Sequence, residues 1–151
     1  MIQGAKKILG LPPANKLIPK NFGIKAANPK LSAKPSLIKQ WADTDLWYMK
    51  DDKFERPKCK VSMKLYTNDC GLGFNAESRV FAHVWTRVLD EYMREFNYMA
   101  TCANMSFSVT PHFENVEFNW QGFDDSMPVY IKETLNKLVN MKDEHLLEIF
   151  D

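Results

Sequence analysis

Three histidines and three cysteines are the side chains of this protein best suited to holding a metal or attacking a bond. His83, His112 and His145 stand 29 and 33 positions apart, too far for any two to share a short metal-binding motif. Cys59, Cys70 and Cys102 include no Cys-x-x-Cys pair, and their odd number argues against both a disulfide framework and a thiolate zinc site. Reduced, structural thiols are expected. Gly71 and Gly73 would open a dinucleotide fingerprint only if a third glycine stood at 76, where the residue is Ala76, and no Walker lysine follows. They read as a flexible strand-to-helix connection. His112 lies beside Glu114 at an expected loop tip, with no nucleophile or second ligand near it in sequence. His83, Asp90 and Glu91 fall on the solvated side of an expected helix. No catalytic, cofactor-binding or metal-ligating residue is therefore assigned.

The bulk numbers bound what is left. With 151 residues the chain fits one domain rather than two. Hydrophobic residues at 45% and charged ones at 26% exclude a disordered or fibrous class. No apolar run approaches the roughly 20 residues that a membrane span needs. The opening MIQGAKKILGLPP has an apolar patch shorter than the roughly 7 to 15 residues of a signal-peptide core, so a cytoplasmic location is expected.

A net charge of +1 gives no general reason to expect nucleic acid, yet it hides an asymmetry. Residues 1–42 hold eight lysines and no acid, which leaves twelve cations against nineteen acids, or −7, for the rest. These lysines are evenly spaced, without arginine, and accompanied only by Phe22 and Trp41 as aromatic residues. That is the pattern of a solvated linker more than of an arm for an anionic partner.

The elements that must position these side chains follow from period and punctuation. Five prolines and three glycines before residue 36 disfavour helix and central strand, so this stretch reads as an extended connector. Leu17, Ile18, Phe22 and Ile24 could dock it on a neighbouring surface. Leu46 to Met49 is a strand candidate, and from Pro57 a second strand places Val61, Met63 and Leu65 opposite Lys60, Ser62 and Lys64.

From Ala76 to about Ala103 the period becomes helical. Val80, Val84, Val88 and Tyr92 form one row, and Phe81, Trp85, Leu89, Met93 and Phe96 the next, a wide apolar stripe read as core rather than cofactor pocket. Such a helix would run roughly 40 Å, with Asn75 as its N-cap. Met105 to Thr110 and Val116 to Gln121 then alternate as a hairpin with His112 at its tip. Asp124, Asp125 and Ser126 suit a cap before a helix carrying Ile131, Leu135, Leu138 and Val139 inward. Asp143 to Asp151 opens a further helix. The expected fold is α+β in two layers, a mostly antiparallel sheet covered by helices on one face, in the order strand, strand, helix, strand, strand, helix.

Particular runs carry a resemblance: LPPANKLIPKNFGI (Leu11 to Ile24), then SLIKQWADTDLWYMKDDKFERPKCKVSMKL (Ser36 to Leu65), with Leu46-Trp47, Asp51 to Phe54 and Pro57-Lys58 the most specific. Weaker similarity continues through the long helix, the hairpin and YIKETLNKLV. The chain resembles the insulin-degrading enzyme branch of the insulinase, or pitrilysin-like, zinc metallopeptidases. That resemblance implies four homologous αβ domains in one long chain, two in each half of a closed chamber. It places residues 1–36 at the end of a preceding domain and the linker after it, and residues 37–151 in the N-terminal part of the middle or third domain, a truncated, incomplete insulinase-type unit.

The family's zinc site is an inverted H-x-x-E-H run plus a distant glutamate. Here Glu144-His145 lacks the first histidine, where Met141 stands. The resemblance thus implies that this chain holds no zinc, catalyses nothing alone, and helps to wall a peptide-degrading chamber. Its expected partners are the remaining domains of the peptidase or a related peptidase subunit, with peptide substrate only in the full-length context and neither nucleic acid nor membrane. The alternative is a stand-alone interaction or decoy module that binds a related peptidase or an anionic partner.

Overall fold

A computed structural model of the protein describes residues 14–26, 34–51, 53–67 and 75–142. The expected helix over Asp143 to Asp151, the glycine pair at 71 and 73, Cys70 and His145 lie outside the described residues.

Three strands make the main sheet: β3 (Lys58–Tyr66), β4 (Ser106–Pro111) and β5 (Asn115–Phe123), with β5 in the middle and antiparallel to both neighbours. The register sets Val61, Trp120 and Phe107 across one row, and Met63, Phe118 and Val109 across the next. Because side chains alternate, these rows share one face, while Lys60, Gln121 and Ser106, then Ser62, Asn119 and Ser108, share the other. The expected hairpin is thus β4 and β5, closed by a bond from the His112 amide to the Asn115 carbonyl at 2.8 Å.

Helices cover the dry face. α1 (Ala76–Tyr92) starts in a capping box: the Asn75 side chain accepts from the Ser78 amide at 2.7 Å, and the Ser78 hydroxyl reaches back to the Asn75 backbone. α2 (Arg94–Cys102) follows, where one long helix was expected. The chain leaves ideal helical geometry at Met93 alone, with ψ at −1°. Met93 still donates to Leu89 and accepts from Asn97, so the hydrogen-bond ladder survives. Leu89, Met93 and Ala100 are all fully buried, and the irregularity lets the C-terminal turns stay wrapped on the core.

α2 ends in a Schellman motif: Asn104 takes a left-handed φ of 55°, the Met105 amide bonds the Ala100 carbonyl and the Asn104 amide bonds that of Thr101. α3 (Met127–Val139) closes the layer. Ser126 precedes it but makes no side-chain cap, because its own φ and ψ, −91° and −10°, are helical rather than extended.

Two expectations change in detail. Residues 36–40 form an unexpected strand, β1 (Ser36–Gln40), which pairs with β2 (Asp45–Tyr48) as a separate two-stranded hairpin instead of extending the main sheet. The expected apolar stripe, which runs through α1 and on into α2, is only partly core. Val88, Leu89, Met93 and Phe96 are buried, but Val80 and Phe81 are each 62% exposed. Toward the N-terminal end the buried row of α1 is Ala82 and Thr86.

Candidate interdomain interface

Among the described residues, the connector, the hairpin and one apolar groove offer contacts beyond the core. The connector lies against the body. Asn15 donates from Nδ2 to the Met99 carbonyl at 2.7 Å, and Leu17 joins the same buried cluster as Met93, Phe96 and Ala100. Farther along, Asp125 Oδ2 accepts from the amides of Lys20 and Asn21 at 2.8 and 3.1 Å. Phe22 sets its ring edge-on against Phe123 at 5.4 Å, and Lys25 pairs with Asp124 at 3.0 Å.

Electrostatics follow these contacts. The two amides hold the Asp125 carboxyl below its ordinary range, and the bond to Asp124 raises the Lys25 ammonium. Asp124 and Asp125 thus fasten the connector, where sequence pointed to helix capping. The readable signal was the complement between an all-basic stretch and a pair of adjacent acids.

The groove lies at one end of the dry face. Leu65 and Thr67 on the β3 side, Val116 and Phe118 of β5, and Phe81, Ala82 and Trp85 of α1 line a cavity of about 240 Å³. Leu65 is 49% exposed there, so the last apolar residue of the β3 row lacks the cover that Phe118 has. The β1 and β2 hairpin adds Leu37, Ile38, Trp41, Leu46 and Trp47, each more than two-fifths exposed. Two-stranded hairpins are at best marginal alone in water.

Among the described residues the candidate chemical side chains do not converge. His112 faces Glu117 at 3.2 Å rather than Glu114, and Ser62 donates to the other oxygen of Glu117 at 2.6 Å. These bonds, the serine's first, lower the Glu117 carboxyl, and they tie β3, β5 and the β4 end together on the polar face. The serine bonds the acid and not the histidine, so these three side chains do not form a serine–histidine pair. An open depression of about 420 Å³ beside them is lined by Lys64, His112, Phe113, Glu114, Asn115 and Glu117. His83 and Asp90 are exposed on α1, and Glu91 pairs with Arg94. Cys59 is half-buried, which pushes its thiol up, and Cys102 is exposed. Among the described residues no three His, Cys, Asp or Glu side chains gather as metal ligands. No helix among them is long and apolar enough to cross a membrane.

The described residues form a two-layer α+β unit with exposed apolar side chains at the groove and on the β1 and β2 hairpin. The family description "Middle or third domain of peptidase M16" matches residues 2–151, and the chain belongs to that family. It is 26% identical over 147 residues to the insulin-degrading enzyme of Bos taurus, and 27% identical over 143 residues to the peroxisomal insulin-degrading enzyme-like 1 of Arabidopsis thaliana. These alignments take in 92% and 93% of this chain but 14% of each relative. The crystal structure of pitrilysin superposes with a TM-score of 0.76 at 20% identity, over 93% of this chain and 15% of that one. The insulinase-type fold expected from sequence is therefore present.

Proposed function

We propose that residues 37–151 form the N-terminal part of a middle domain that contributes structure, not chemistry, to an insulinase-type peptidase, and that residues 1–36 are the end of the preceding domain and the linker from it. The unit walls part of the peptide-degrading chamber, packed against the remaining domains of the same peptidase or a related subunit. Peptide substrate meets it only in that full-length context. Zinc belongs to a catalytic domain elsewhere in the parent protein. The free thiols of Cys59 and Cys102 fit a reducing compartment, the cytosol.

One observation carries this reading. Phe81 and Leu65 stand exposed beside a groove that continues the hydrophobic core, as expected of a domain whose cover comes from further polypeptide. Sequencing the transcript across both ends tests it. An H-x-x-E-H reading frame in phase upstream, with further peptidase sequence downstream, is expected. Start and stop signals enclosing these residues would sink the proposal in favour of a stand-alone module.

A further inference from the structure

We infer that the free edge of β3 is where a further strand of the parent peptidase joins this sheet, and that this strand alternates acidic with apolar side chains. The bonds flanking β3 fix which way its backbone faces. Thr67 donates to the Glu114 carbonyl at 2.9 Å, and Asp124 donates to that of Pro57 at 3.1 Å. Antiparallel partners exchange bonds at every second residue, so Cys59, Val61, Met63 and Leu65 bond toward β5. Lys58, Lys60, Ser62, Lys64 and Tyr66 therefore turn their amides and carbonyls outward, and all five are exposed. Among the described residues β3 is a sheet edge, and no backbone group meets it there.

The two faces of this edge select different side chains. On the dry face Leu65 is 49% exposed and lines the groove, while Cys59, Val61 and Met63 are half-buried, so residues entering beside them join the core. On the polar face Lys60 lies across from uncharged Gln121 and makes no ion pair among the described residues, and Lys64 lies across from Glu117. An acid directly opposite each lysine is favourable, whereas a cation there is destabilising. A second copy of this chain is the wrong occupant. Two β3 strands centred on Ser62 would set Lys60 against Lys64, and β4 offers a shorter edge ending in Pro111, which has no amide to donate. The chain's own acidic stretch, Asp143 to Asp151, lacks the alternation, since Leu146 adjoins Leu147 and Ile149 adjoins Phe150. The inference rests on the reading of this unit as part of a longer peptidase, but the peptide experiment reads the edge alone, so its failure would leave the structural role standing.

The experiment is residue-resolved amide hydrogen exchange on the 151-residue chain, with an end-blocked synthetic peptide of alternating glutamate and valine as long as β3. A saturating excess is expected to slow Lys60, Ser62 and Lys64 by about tenfold, while Val61 and Met63, already bonded to β5, stay unchanged. A lysine and valine peptide of the same length should bind about tenfold more weakly. Lys60→Glu, at an exposed position, should narrow or invert that preference while the melt stays where it was. No slowing at the three outward amides, slowing that ignores their alternation, or equal binding of both peptides overturns the inference. The transcript beyond Asp151 identifies the source of the strand: a run alternating acids with apolar residues supports it, and in-phase peptidase sequence without such a run contradicts it.

Discussion

Gly122 shows how closely single residues fix this sheet. Its φ of 155° lies where side chains are rarely tolerated, and a Cβ built there would stand 2.7 Å from Met105 Cγ and 3.1 Å from Met105 Cα. Gly122→Ala is expected to destabilise the chain by about 1–3 kcal/mol, the range for a strained backbone site, read as a lower denaturant midpoint with unchanged slope. Asn104 occupies a left-handed site as well, though there a polar residue already serves. Asp125 gives a pH dependence. Its folded carboxyl is held below the unfolded value of about 3.9, so the stability it lends the connector's attachment is fully present above that value. As pH falls through the lowered folded value, that contribution disappears. Exchange at Lys20 and Asn21, corrected for the intrinsic pH effect, should stay flat from neutrality to about pH 5 and accelerate only below the ordinary carboxylate range. Acceleration near pH 6 to 7 would implicate a histidine instead.

At the scale of elements, helices were more legible than their edges. The Asn75 cap, the α1 stripe from Val88 onward and the β4 and β5 alternation could all be read, because each has a buried face that imposes its period on the sequence. β1 could not. Every residue of Leu37 to Gln40 is exposed, so neither face of the strand selects apolar side chains and no alternation appears. The tight link from the Trp41 amide to the Thr44 carbonyl, at 2.8 Å, is what pairs it with β2. Val80 and Phe81 misled in the opposite direction: their spacing belongs to a core, yet each is 62% exposed. Asp124 and Asp125 stood where helix caps stand, and only their long-range partners at Lys20, Asn21 and Lys25 separate the two roles. Asn75→Ala should cost about 1 kcal/mol, seen as earlier fraying of α1 by hydrogen exchange. Phe81→Ser should leave the chain's own denaturant midpoint nearly unchanged and reduce self-association, since 62% of Phe81 faces solvent. Inside an intact peptidase the same change should destabilise, and a neutral effect in both settings would show the groove to be uncovered there too.

For the whole molecule, the exposed apolar side chains state the case most simply. Exposed surface that includes Trp41, Trp47, Leu65 and Phe81 drives association. Sedimentation of the purified chain should accordingly show concentration-dependent species; a single monomer with a sharp two-state melt would argue for a self-sufficient module. The local runs from Leu11 to Leu65 made the family legible. What they could not convey is which apolar residues stay exposed, because Leu65 and Phe81 follow the same period as their buried neighbours.

The central claim is that this unit supplies structure to a peptidase whose chemistry lies elsewhere. A cleavage assay on the purified chain with a fluorogenic peptide, run in added zinc and paired with metal analysis of the recovered protein, tests it most directly. The account predicts no turnover above the peptide blank and no stoichiometric zinc. One zinc per chain together with chelator-sensitive cleavage would contradict it.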